Sequence, residues 1–208
     1  MQNALTRATY KIANNDLQRM ALTKEHLSQE FTDFEVVREG EFTNEVMADL
    51  PLSDHTAEEL RSLGRLTGYQ REWVTTVEDS LVSDGMDLAV ATVIHLLVSP
   101  EAVSNWMVKV FLEEFTAKVG ANLGSDHHLV SVDQFEPEEQ FYDRAVGVRA
   151  MQQGSGGLVS SSVLDFRLGR LLGVVYIVTS GDQNRSKVAE LLGKKLERQM
   201  VAVTVGLA

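Results

Sequence analysis

The 208-residue sequence contains no cysteine. This absence excludes disulfide bridges, thiolate catalysis, and zinc or iron–sulfur sites held by cysteine. It leaves the compartment open, because an exported protein need not contain disulfides.

Basic residues and long apolar runs are also scarce. Lys and Arg number 19 against 30 Asp and Glu, for a formal net charge of −11. Because nucleic-acid binding depends on neutralising phosphates, we expect no nucleic-acid partner. No segment approaches the roughly 18 apolar residues of a membrane span, and residues 1–20 hold no continuous apolar core of a signal peptide. The sequence therefore predicts no membrane span.

What the sequence does contain is a series of strand patterns. Its 44% apolar content is typical of a globular domain with a sizeable core. Alternating apolar residues bounded by turn signals predict strands over residues 34–42, 66–77, 86–98, 129–135, 141–150, 158–168 and 171–178. The later connections are too short for crossovers, so these strands should pair antiparallel. Residues 171–178 are apolar on both parities, which favours a central position in the sheet.

Two amphipathic helices complete the predicted fold. Ser99-Pro100-Glu101 starts the first, with proline in its permitted first turn, and residues 183–203 form the second. We therefore predict an α+β fold, in which a twisted, mostly antiparallel sheet of about six or seven strands is flanked by two main helices. Residues 1–21 form an N-terminal arm, either helical or loosely docked, and residues 22–208 form one α+β domain.

The strongest candidate for a ligand cleft lies on two neighbouring strands. Tyr69, Arg71 and Trp73 share one parity of the second strand, and His95 lies on the less apolar face of the third. As cross-strand neighbours they would offer aromatic walls, one cation and one imidazole to a ligand. The alternative is an aromatic stripe packed under a helix, together with a structural histidine.

A second candidate is a metal site at Asp126, His127 and His128. Carboxylate and imidazole are good ligands for zinc or iron. However, adjacent side chains on an extended segment point to opposite faces, so the two histidines cannot easily share one ion. A solvated loop is the alternative. No Gly-x-Ser-x-Gly and no P-loop occurs, so we predict no catalytic residue and no cofactor.

Several runs resemble a known group of proteins. LTKEHLSQEF at residues 22–31 and VVREGEFTNE at residues 36–45 resemble the opening of uncharacterised bacterial exported surface lipoproteins. GRLTGYQ at residues 64–70 and FRLGRLLGVV at residues 166–175 resemble later landmarks of that group. The resemblance implies an exported, non-enzymatic domain with a PsbP-like α+β sheet. Such proteins begin with a signal peptide and a lipid-bearing cysteine, so membrane anchoring is implied only if a lipobox precedes this sequence.

The leading functional hypothesis is therefore a non-enzymatic, extracytoplasmic binding or interaction module for an unknown small molecule or protein, and a cytoplasmic location stays open. One alternative is a metal-binding protein or metal-assisted hydrolase centred on Asp126, His127 and His128. Another is a self-associating structural protein, a homodimer formed through the C-terminal helix and the apolar tail at residues 201–208.

Overall fold

The computed structural model describes residues 3–50, 54–78, 81–121 and 128–208. Its centre is a seven-stranded sheet with the order β1-β2-β3-β7-β6-β5-β4, in which every neighbouring pair is antiparallel. The strands are β1 Phe34–Glu41, β2 Arg65–Thr75, β3 Asp87–Leu97, β4 His128–Phe135, β5 Arg144–Gly154, β6 Gly157–Leu168 and β7 Leu171–Ser180. The predicted α+β class is confirmed, and β7 is central.

The helices in the described part of the chain differ widely in length. Seven are α-helical: α1 Ala4–Ala8, α2 Asn14–Met20, α3 Asn44–Ala48, α4 Ala57–Ser62, α5 Pro100–Trp106, α6 Glu114–Ala117 and α7 Ser186–Thr204. Short 3₁₀ turns cover Thr9–Lys11, Lys24–His26 and Gln29–Phe31. Within the described ranges, no helix combines the length and the apolar character needed to cross a membrane.

Two-residue turns connect the last three strands of the chain. Gly154 pairs with Gly157 across the first hairpin, and Leu168 pairs with Leu171 across the second. Gly169 has a φ of 58°, the left-handed conformation that tight hairpin turns require and that glycine adopts without strain. These turns set the register of β5, β6 and β7.

One face of the sheet is covered by α7, and we call it the α7 face. The helix presents an apolar stripe of Ala189, Leu192, Leu196, Met200 and Val203, all buried. The N-terminal helix α2 packs against α7 and contributes buried Leu17 and Met20 to the same core. The division of the chain into an arm and a domain stays a prediction.

The opposite face is covered by a second helix, which we call the cover helix. It consists of α5, π-helical turns over Met107–Glu113, and α6. Ser99 caps its start by accepting a hydrogen bond from the Ala102 amide at 3.2 Å, and proline occupies the first turn as predicted. Its apolar side packs on strands β3 to β7 and forms a separate core with the following buried residues: Leu60, Leu97, Val103, Trp106, Met107, Phe111, Leu129, Val146, Val148, Ala150 and Leu172. The π-helical turns were not predicted.

Candidate functional site

The structure does not bring together the four residues of the predicted cleft. In the β2–β3 register, Tyr69 is opposite Ile94 and His95 is opposite Gly68. Directly opposed residues share a face, so Tyr69 lies on the α7 face and His95 lies on the cover-helix face. The predicted arrangement assumed that odd-numbered residues of both strands share one face. In the observed register, odd-numbered residues of β2 are opposite even-numbered residues of β3, so that arrangement is wrong. A ligand role for Tyr69, Arg71 and Trp73, or for His95, stays a prediction.

Tyr69 and Arg71 hold the edge of the sheet together. The Tyr69 hydroxyl donates a hydrogen bond to Glu39 Oε1 at 2.9 Å, and Arg71 Nη2 donates to the same oxygen at 2.5 Å. The hydrogen bond from Arg71 lowers the pKa of Glu39. Arg71 also donates to the carbonyl of Leu22. Trp73 is fully buried in the α7-face core. The hydrogen bonds of Tyr69 and Arg71 join β2 to β1 and to the segment before β1.

His95 belongs to a buried cluster around Arg65, which the sequence analysis missed. Arg65 is 1% exposed, and its guanidinium donates to His95 Nδ1 at 2.8 Å, to Asn44 Oδ1 at 2.7 Å and to the Phe42 carbonyl at 2.5 Å. Burial lowers the pKa of Arg65 to about 9. Burial and the neighbouring guanidinium hold the pKa of His95 well below its usual value, so His95 is a neutral hydrogen-bond acceptor.

A glycine within β2, Gly68, is the feature of the sequence that could have indicated this cluster. A Cβ at Gly68 would lie 2.8 Å from Arg65 Nη2 and 2.8 Å from the Ile94 carbonyl. Glycine inside a strand often marks such a close approach. The ring of His95 also lies 5.7 Å from the ring of Trp106, at the last residue of α5. The cluster therefore supports the cover helix where its π-helical turns begin.

The predicted metal site is only partly within the described structure. Asp126 and His127 lie outside the described residues, and His128 is an exposed residue at the start of β4. Within the ranges that the structure covers, no group of three or more His, Asp and Glu side chains is arranged to hold a metal ion. The metal alternative therefore stays an untested prediction.

A pocket with a volume of about 200 Å³ lies on the cover-helix face. One wall is formed by Met47, Leu50, Asp54 and His55, the other is the cover helix, and the floor is formed by Leu129 of β4 and Gln152 of β5. Its apolar lining consists of Met47, Leu50, Val110, Phe115 and Leu129. Its polar lining consists of Asp54, His55, Glu114, Lys118 and Gln152. A concavity whose apolar walls carry polar groups that can orient a ligand is the usual form of a small-molecule site.

The ionisable groups of the pocket are in contact in pairs across its two walls. Lys118 Nζ lies 2.8 Å from Asp54 Oδ2, and His55 Nε2 lies 2.9 Å from Glu114 Oε2. The hydrogen bond from Lys118 lowers the pKa of Asp54. Both pairs join the segment before α4 to the cover helix. They therefore fix the width of the pocket as well as its charge.

The π-helical turns place the pocket side chains on the cover helix. Val110 lies within these turns, and Glu114, Phe115 and Lys118 follow them. A π-helical turn adds residues to the helical repeat and so changes which side chains face the sheet. Such turns are rare and are found frequently at functional sites. The combination of an apolar pocket and π-helical turns makes this the best-supported candidate site in the described structure.

Comparison with known proteins gives a fold relationship but no family. No family model matches the sequence, and no curated protein matches it. The extracellular domain of PknH from Mycobacterium tuberculosis superposes with a TM-score of 0.59 at 10% identity, covering 90% of this chain and 97% of that domain. An uncharacterised protein from Mycobacterium smegmatis has a TM-score of 0.37 at 11% identity, covering 85% and 90% of the two chains. The first likeness shows a shared fold, and the second is too low to support an inference.

Proposed function

We propose that the chain is a non-enzymatic, extracytoplasmic binding module whose ligand site is the pocket between α3 and the cover helix. The observation that carries the proposal is the apolar lining of this pocket beside the π-helical turns, with paired charges that join its walls. The extracytoplasmic location is supported by the resemblance to exported lipoproteins and by the fold shared with an extracellular domain.

Pocket-filling substitutions test the binding role. Val110→Trp fills the pocket from the cover helix, and Met47→Trp fills it from α3. Asn105→Trp is the matched control, because Asn105 is exposed on α5 of the same helix. A library of small apolar compounds is screened by thermal shift against the unsubstituted protein. Compounds that raise its melting temperature should lose their effect on both pocket variants and keep it on the control.

The result that contradicts the proposal is equally clear. If the stabilising compounds act equally on the control and on both filled variants, they bind elsewhere and the pocket is not the site. The location is tested separately, by fractionating cells that express the protein from its own gene. Recovery in the cytoplasmic fraction alone contradicts the extracytoplasmic part.

Self-association is a second candidate function, and the C-terminal residues favour it. Leu207 is 83% exposed, and Val205 close to it in the sequence is also exposed. Apolar side chains that remain in solvent beyond a helix are suited to contact a second copy. Light scattering should give the mass of a dimer that falls to that of a monomer when residues 205–208 are deleted. A monomeric mass before the deletion contradicts this candidate.

A further inference from the structure

On the basis of the proposed function, we infer that the pocket takes an uncharged, mainly apolar ligand the size of one ring or a six-carbon chain, with one hydroxyl or carbonyl group. This inference deepens the proposed function, because it gives the chemical class of the ligand. It depends on three properties of the pocket: the partners that its ionisable side chains already have, its volume and the uncharged side-chain amide of Gln152.

The pairing of charges disfavours a charged ligand. Asp54 already forms an ion pair with Lys118, and Glu114 is already hydrogen-bonded to His55. The Asp54 side chain is 66% exposed, whereas Leu129 at the floor is 2% exposed, so the Asp54 carboxylate lies toward solvent and the apolar floor lies deep. A charged ligand would have to break a pair or bury its charge against apolar walls. Both are costly.

The volume sets the size of the ligand. Sites for drug-sized molecules have roughly 300–1,000 Å³, which is larger than this pocket of about 200 Å³. An engineered apolar cavity of about 150 Å³ holds one benzene molecule. The pocket therefore fits a ligand slightly larger than benzene.

Gln152 supplies the uncharged polar group. It lies on β5 directly opposite Leu129 of β4, at the floor of the pocket. Its side-chain amide both donates and accepts hydrogen bonds. A ligand with a hydroxyl or carbonyl at its inner end can therefore bond to Gln152 while its apolar part fills the space between Met47 and Val110.

Three ligands with the same chain and different end groups test this class: 1-hexanol, hexanoate and hexylammonium. The protein is labelled with ¹³C at its methionine methyl groups. Met47 lines the pocket, and Met200 in the α7-face core serves as an internal control. We expect 1-hexanol to shift the Met47 signal without moving the Met200 signal. Its dissociation constant should be at least about tenfold lower than those of both ions, because burial of a charge is unfavourable.

Chain length and a substitution sharpen the test. From 1-butanol to 1-hexanol the affinity should rise roughly fourfold for each added methylene, the ratio that burial of one CH₂ predicts. Gln152→Leu should weaken 1-hexanol severalfold and leave benzene binding unchanged. Equal weakening of both ligands would overturn the hydrogen-bonding role of Gln152.

The outcomes separate this inference from the proposed function. If an ion binds as tightly as 1-hexanol and Val110→Trp abolishes that binding, the ligand class is wrong and the pocket remains the site. If none of the probes shifts the Met47 signal, both are overturned. Met47→Trp, with the pocket filled from the other wall and binding followed by thermal shift, replaces Val110→Trp if the latter does not fold.

Discussion

Two phenylalanine rings lie over glycines of neighbouring strands. We expect the substitution of each glycine by alanine to reduce the stability of the fold by a different amount. Phe166 of β6 is directly opposite Gly173 of β7, and Phe135 of β4 is directly opposite Gly147 of β5. A Cβ at either glycine would overlap the facing ring. An alanine at either position therefore forces the ring to move.

The surroundings of the two rings decide the magnitude. Phe166 is fully buried in a central strand, and its ring centroid lies 5.1 Å from that of Phe141. It has no free space to move into, so Gly173→Ala should destabilise the fold by about 3 kcal/mol, the upper part of the usual range for overpacking. Phe135 lies on an edge strand and is partly exposed, so it can turn outward. Gly147→Ala should therefore cost about 1 kcal/mol.

Thermal unfolding measures this difference. For a chain of this length, 1 kcal/mol corresponds to a shift in melting temperature of roughly 2–4 °C. Gly173→Ala should therefore lower the melting temperature by roughly 6–12 °C, and Gly147→Ala by roughly 2–4 °C. Gly156→Ala is the control, because a Cβ there meets no atom within 4 Å. Equal losses for Gly173→Ala and Gly147→Ala, or a larger loss at the edge strand, would refute the reasoning.

Two further predictions concern buried polar groups. Asn44→Ala removes the acceptor of one guanidinium hydrogen bond of Arg65 and the donor to the carbonyls of Arg65 and Leu66, and it should lower the free energy of unfolding, measured in urea, by about 2 kcal/mol; an unchanged value contradicts a structural role for the Asn44 side chain. Burial raises the pKa of Asp165 well above its usual value, so folding favours the protonated carboxyl, and the associated stability is lost as the pH rises through the folded-state pKa. Asp165→Asn should therefore have little effect on stability below about pH 4 and become increasingly stabilising above it, as followed by melting temperature against pH; a gain that is independent of pH contradicts this explanation.

The strands and the final helix could be predicted from the sequence because each has a local pattern. Alternation with a period of two locates the strands before β7, and a short run that is apolar on both parities locates β7. The predicted bounds of the last two strands differ from the observed ones by at most two residues. The two hairpins follow from glycine-containing turns of fixed length. The apolar stripe of residues 183–203 similarly predicts α7, observed as Ser186–Thr204.

The candidate site could not be predicted because it depends on register and on distant segments. The pairing register between β2 and β3 decides which residues of β2 lie on the same face as His95. This register shifts between Arg65 and Thr67, and the composition of the two strands does not reveal the shift. Arg65 looks like any surface arginine in the sequence, since its burial follows from Asn44 and Phe42 packing over it. The pocket joins residues from four separated segments, and the π-helical turns change which side chains of the cover helix face the sheet, so a regular helical period does not predict its lining.

The most direct test of the binding pocket is a crystal structure of the protein grown with 1-hexanol. The proposed function predicts electron density for the alcohol between Met47 and Val110, with its hydroxyl within hydrogen-bonding distance of the Gln152 amide. Density for the alcohol only at other places on the molecule, with the pocket containing water alone, would contradict it.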